Sequence, residues 1–219
     1  RAYENDEGPN TGGMGTYSDA DHSLPFLQKK DIEEAYKINQ ATTNALMKEF
    51  GCGYKGILYG GFMATKDGVK LIEYNARFGD PEAMNVLSIL ETDFIKICHG
   101  IISGKLDQVD VRFKNKATVC KYAVPEGYPD EPIKGAKINL SKIEDQESLF
   151  YASVDVQNGV LVEAGSRTIA VIGIDNTIKG AEKIAEKEIS KIEGPLFHRK
   201  DIGTSSLIQK RIEHMDSLR

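Results

Sequence analysis

The pattern of apolar and polar positions changes period along the chain. Over 31–49, Ile32, Ala35, Tyr36, Ile38, Asn39, Thr42, Ala45 and Leu46 fall at helical spacing. This predicts an amphipathic helix, capped by Asp31 and stopped by Gly51-Cys52-Gly53. An apolar run from Ile57 to Ala64, the turn signal Lys66-Asp67-Gly68 and alternation from Leu71 onward predict a hairpin with strands over 55–65 and 69–77. Asp80-Pro81-Glu82 reads as a helix start with Asp80 as N-cap, continuing with Ala83, Val86, Leu87 and Leu90 inward. A third helix, capped at Thr92 or Asp93, runs to Gly100 or Ser103.

Past 104–107 the texture turns to short alternating runs, which predict strands over 116–124, 137–140, 148–156, 160–163 and 167–174. Asn158-Gly159 marks a tight hairpin. An amphipathic helix is expected over 176–192, and a last helix ends near Met215. The fold class is α+β. A first part over 1–106, an antiparallel sheet with helices, precedes a β-rich C-terminal domain with a covering helix over 107–219.

Composition narrows the function classes. Formal net charge is -5 over 219 residues, which argues against a nucleic-acid backbone as partner. No apolar run approaches the roughly 20 residues that span a bilayer. The polar, acidic N-terminus is unlike a signal peptide. Three cysteines, far apart and without metal spacing, point to reduced thiols in the cytoplasm. The four histidines share no spacing for a metal or a triad, and no serine sits on a Gly-x-Ser-x-Gly elbow.

Two stretches carry candidate chemistry. In the strand over 69–77, alternation puts Glu73, Asn75 and Arg77 on one face, about 7 Å apart. A carboxylate and an amide oxygen are hard donors of the kind Mg²⁺ accepts while it keeps water and phosphate as its other ligands. The guanidinium beside them suits phosphate or carboxylate oxygens. A solvated face of mixed charge is the alternative. This strand is expected to run straight into the helix start at Asp80, where anions are favoured. The second stretch, 6–18, reads as a loop whose glycines at 8, 12, 13 and 15 allow positive φ and close approach to a ligand. An ordinary surface loop is its alternative.

Taken together, Gly8-Pro9-Asn10-Thr11-Gly12-Gly13-Met14-Gly15 and Glu73-Tyr74-Asn75-Ala76-Arg77-Phe78-Gly79-Asp80-Pro81-Glu82 resemble the phosphoribosylamine–glycine ligase family of the ATP-grasp superfamily. Phe197-His198-Arg199-Lys200-Asp201-Ile202-Gly203 resembles that family's C-terminal signature. The resemblance implies that 1–106 is part of the large ATP-grasp lobe. It also implies ATP, glycine and 5-phosphoribosylamine as substrates, with glycyl phosphate between them, and Mg²⁺ or Mn²⁺ as the metal. On the matching positions, Glu73 and Asn75 are metal ligands and Arg77 is the catalytic residue that neutralises phosphate or holds the glycine carboxylate. Asp6 takes the glycine ammonium. Pro9, Asn10, Thr11, Gly12, Gly13, Met14 and Gly15 form the substrate loop. Gly61 departs from relatives that carry a side-chain oxygen there as a further metal ligand. Because the chain opens on Arg1, it is expected to be a C-terminal portion whose partner is the missing N-terminal part of the same enzyme, and to be inactive alone. Another carboxylate–amine ligase of the superfamily and a non-catalytic binding module are the competing readings.

Overall fold

The strand expected over 116–124 forms as β4 (Ala117–Pro125) and is buried at every position. The computed structural model describes residues 1–219. Val119, Cys120, Tyr122 and Val124 suit a pleated surface covered on both faces. β4 pairs antiparallel with β1 (Gly15–Ser18) and β9 (Leu196–His198) along one edge and with β8 (Ile169–Asp175) along the other. β5 (Leu149–Tyr151) adds to β8. The helix expected over 176–192 is α4 (Ile178–Ile189), capped by Thr177, with Ile178, Ala181 and Ala185 buried. It lies close on β8, where a Cβ at Gly173 would stand 1.9 Å from the Ala181 carbonyl oxygen, so glycine is required.

Packing groups the chain into two interleaved units. The first is Arg1–Ser23, Asp80–Ile89 and Asn115–Gln209; the second is Leu24–Gly79, Leu90–Lys114 and Lys210–Arg219. Neither unit is one continuous stretch of chain: β1, near the start, is hydrogen-bonded to β4. β1 itself lies where a continuous loop is expected over 6–18.

The first unit also holds α2 (Glu82–Ser88), the hairpin of β6 (Val154–Gln157) and β7 (Val160–Glu163), and the start of α5 (Ser205–Leu218). Asn158 and Gly159 join β6 to β7 with φ of 52° and 77°, as the Asn-Gly signal predicts. The strand expected over 148–156 divides into β5 and β6, and 137–140 makes only isolated bridges, Lys137 to Val162 and Asn139 to Glu193. In α2 the expected inward residues Val86 and Leu87 are exposed, while Asn85 is buried. The Asn85 amide donates to the buried Thr118 hydroxyl at 2.9 Å, which turns that face of the helix inward.

The second unit is built from α1 (Lys29–Phe50), the hairpin β2 (Tyr59–Thr65) and β3 (Gly68–Asn75), and α3 (Phe94–Ser103). Asp31 acts three residues inside α1, its carboxylate accepting from the Gln28 N–H at 2.8 Å. Gly51 closes α1 in the left-handed region. The Tyr74 hydroxyl fastens β3 to α1, with Asn39 Oδ1 at 2.8 Å and Thr42 Oγ1 at 3.1 Å. Only part of the predicted stripe of α1 meets the hairpin, and Tyr36 is 67% exposed.

A charge sits inside the first unit. The Lys121 side chain, on β4, is fully buried. Its ammonium donates to Glu182 Oε1 at 2.8 Å, Glu186 Oε2 at 2.7 Å and the Lys200 carbonyl at 2.9 Å. Three donors thus meet three acceptors. Burial works to raise the Glu186 carboxyl, but the hydrogen bonds from His198 and Lys121 outweigh it and hold the group down at about 2. Removing one partner of a buried pair strands the other charge. Lys121→Met is therefore expected to cost about 3–5 kcal/mol, read as a lower urea midpoint with an unchanged slope. A midpoint equal to the parent's would refute it.

Glu163, the last residue of β7, is 2% exposed, and neither carboxylate oxygen has a hydrogen-bond partner. Burial, with a smaller contribution from Glu126, pushes its carboxyl up to about 7 from an ordinary 4.5. The folded state therefore holds this proton more tightly than the unfolded state. The stability this contributes is complete below pH 4.5 and is lost as pH rises through about 7. Parent and Glu163→Gln melting temperatures, compared from pH 8 to pH 5, should shift in the parent's favour as pH falls. A difference independent of pH would contradict this.

Candidate functional site

In the second unit, β3 presents the predicted donor pair. Asn75 Nδ2 donates to Glu73 Oε1 at 3.2 Å, so amide and carboxylate lie side by side. Glu73 is exposed and Asn75 half-buried, which leaves their oxygens within reach of a ligand. Gly61 pairs directly opposite Glu73, and no side-chain oxygen comes from that position. The register shifts between Gly61 and Phe62, so Ile72 is bulged out of the pairing and is 61% exposed. The alternation expected from Leu71 onward is broken there.

β3 ends at Asn75, so Arg77 lies beyond the strand and is not placed by strand alternation. Its exposed guanidinium donates to the Phe78 carbonyl. The expected anion-favouring helix start is also corrected. α2 begins at Glu82 after Pro81, spans 7 residues, and receives no side-chain cap. Asp80 is drawn elsewhere by a guanidinium.

In the first unit, that guanidinium is Arg167. Its Nη2 lies 2.7 Å from Asp80 Oδ2, and its Nη1 donates to Asp80 Oδ1 at 3.2 Å, the Asp80 carbonyl at 3.1 Å and the Gly13 carbonyl at 3.0 Å. A forked, charge-assisted pair of this kind outcompetes a single cap bond. The Tyr122 hydroxyl donates to Asp80 Oδ1 at 3.0 Å, and the Arg167 guanidinium stacks over the Tyr122 ring at 4.8 Å. Burial, reinforced by the Asp80 charge, pushes the Tyr122 hydroxyl well above its ordinary range, so it stays a donor.

The glycine-rich loop is thereby set. Of its four glycines only Gly8 has positive φ. Gly13 is needed for a different reason: a Cβ there would stand 2.6 Å from Pro81 Cδ. Asp6 is already engaged. Its Oδ1 accepts from Arg199 Nη1 at 3.1 Å, and the largely buried Arg199 also forks onto Asp201 at 2.7 and 2.9 Å.

Arg167, Tyr122 and Arg199 did not emerge as site residues from sequence. Arg167 follows Ala164-Gly165-Ser166, a turn signal, and is separated from Asp80 by 87 positions and from Gly13 by 154. No spacing rule links such residues. For Arg199 the only signal is its place in the Phe197–Gly203 signature.

The donor chemistry fits a divalent cation that shares its shell with a phosphate substrate. One carboxylate and one amide oxygen stand together, both hard donors, and no cluster of three or more His, Cys, Asp or Glu side chains offers a self-sufficient metal cage.

The family model for phosphoribosylglycinamide synthetase, ATP-grasp (A) domain, matches residues 1–83, and the one for its C domain matches residues 118–205. The chain belongs to the phosphoribosylglycinamide synthetase family. Family members include the phosphoribosylamine–glycine ligase of Methanosarcina barkeri, 56% identical over 219 residues, a match covering all of this chain and 50% of that protein. The Methanocaldococcus jannaschii ligase of the same name is 54% identical over 221 residues, again covering all of this chain and 50% of its own length. The chain spans about half the length of the curated relatives it matches. In a crystal structure, the Thermotoga maritima phosphoribosylamine–glycine ligase shares 30% identity at a TM-score of 0.78, over 92% of this chain and 49% of that one. The α+β class, with its antiparallel sheet, is thus that of this family. The two family models change over between residues 83 and 118.

A valine at position 13 would drive its side chain into the Pro81 ring, which has no freedom to retreat. Gly13→Val is expected to lower stability by about 1–3 kcal/mol, measured by urea denaturation. An unchanged midpoint would show that the loop is not packed on Pro81.

Proposed function

We propose that the protein is an ATP-dependent carbon–nitrogen ligase that joins glycine to 5-phosphoribosylamine in purine biosynthesis. Glycine's carboxylate takes the γ-phosphoryl group of ATP to give glycyl phosphate. The amine of phosphoribosylamine then displaces phosphate, leaving glycinamide ribonucleotide, ADP and phosphate. The observation that carries this reading is the paired Glu73 carboxylate and Asn75 amide on β3 of a chain matched by both family models.

Such a reaction asks the protein for positioning and charge neutralisation more than for covalent chemistry. Glu73 and Asn75 hold Mg²⁺ or Mn²⁺ together with the ATP phosphates. When bound, the metal neutralises charge on the transferring phosphoryl group. Arg77, exposed and bonded only to a neighbouring carbonyl, has donors left for phosphate or carboxylate oxygens. The Pro9-to-Gly15 loop offers backbone N–H groups to substrate. Asp6 takes the glycine ammonium, its orientation set by Arg199.

In the same proposal, residues 1–106 are the large-lobe part of the ATP-grasp domain and 107–219 the C-terminal domain. The working compartment is the cytoplasm, in keeping with three unpaired cysteines. No helix is long and apolar enough to cross a membrane.

Glu73→Gln, in the protein at its natural length, removes the one carboxylate of the donor pair from an exposed position. ADP release dependent on both glycine and phosphoribosylamine should vanish, while the melting temperature stays within a few degrees of the parent's. Equal turnover of mutant and parent at saturating Mg²⁺ would overturn the assignment.

A further inference from the structure

We propose that Arg167 is a positioning residue for the amine-side substrates, a role that rests on the ligase reading above. One guanidinium, 17% exposed, holds two segments far from it in sequence: the glycine-rich loop, through the Gly13 carbonyl, and the Asp80-Pro81 turn, through both carboxylate oxygens and the Asp80 carbonyl. Tyr122 supports it from beneath, with its ring under the guanidinium, its hydroxyl on Asp80 and its N–H on the Met14 carbonyl at 2.9 Å.

The loop is shaped for this hold. A Cβ at Gly12 would lie 2.9 Å from the guanidinium carbon of Arg167, and one at Gly13 would strike Pro81. A trans peptide carries its C=O and N–H on opposite edges. Fastening the Gly13 carbonyl to Arg167 therefore turns the Met14 N–H the other way, fixing the direction in which the loop offers that donor. Lysine cannot replace this arrangement, because an ammonium has no planar fork to meet a carboxylate and two carbonyls at once. Neither Arg167 nor Asp80 belongs to the donor pair proposed for the metal, so the hold is aimed at the loop's substrates and not at the nucleotide.

The test uses Arg167→Lys and Asp80→Asn in the protein at its natural length, with each substrate varied in turn. For Arg167→Lys, kcat/KM for glycine and for phosphoribosylamine should fall about 100-fold, the scale of a misplacement near 1 Å, chiefly through higher KM values for these two substrates, while the KM for ATP stays within about two-fold. Asp80→Asn should move the same constants in the same direction by less. A rise in the ATP KM in step with the others, or a fall in kcat with every KM unchanged, would overturn the proposal. Amide hydrogen exchange supplies a readout that needs no activity. Residues 12–14 should exchange at least about ten-fold faster in Arg167→Lys, with β4 unchanged. Equal exchange at 12–14 also overturns it. If the parent itself releases no glycine-dependent ADP, the ligase reading fails, and the exchange measurement still decides whether Arg167 holds the loop.

Discussion

The first unit depends on one buried ammonium. Lys121 stands in the middle of β4, a strand with no exposed position, and an unpaired charge there would be prohibitively costly to desolvate. It is tolerated because Glu182 and Glu186 come from one face of α4, four residues apart, and the Lys200 carbonyl comes from the chain just after β9. Satisfying all three protons therefore fixes the rotation of α4 on the sheet and the path of the chain beyond β9. His198, on β9, closes the arrangement by meeting Glu186 at 3.1 Å.

Two other cations organise the same unit in the same manner. Arg199 joins Asp6 to Asp201, so the start of the chain is fastened to the segment before α5. Arg167 joins the glycine-rich loop to the Asp80-Pro81 turn. An ammonium reaching Asp6 would meet a carboxylate that already shares its charge with Arg199, which makes orientation, more than net charge, the contribution Asp6 can offer. In the second unit there is no comparable buried cation at the donor pair. Glu73 and Asn75 are placed by backbone pairing with β2 and by the Tyr74 hydroxyl on the opposite side of β3. That arrangement suits the metal site proposed for the pair, where the oxygens must stay open to water and phosphate while the strand behind them is held in place.

By itself the sequence determined what local physics determines. Helical spacing of apolar residues placed α1, α3 and α4, since a period of 3.6 is written into the chain, and Asn158-Gly159 placed the β6–β7 turn because few other residues hold two consecutive positive φ values. Alternation put Glu73 and Asn75 on one face because the period of a strand is two and their separation is two. Only the tertiary structure decided the rest. β1 is short and glycine-led, and it is a strand because β4 supplies its partners. Arg77 lies outside the strand because pairing stops at Asn75, and Ile72 falls out of the pairing because the ladder slips at Gly61. Asp80 has the local signature of a helix cap, yet it answers to Arg167, 87 residues away. A capping bond is local and worth about 1 kcal/mol, whereas a forked guanidinium pair over an aromatic ring is stronger and non-local. Such a partner becomes visible only once the chain has folded and brought the two groups together.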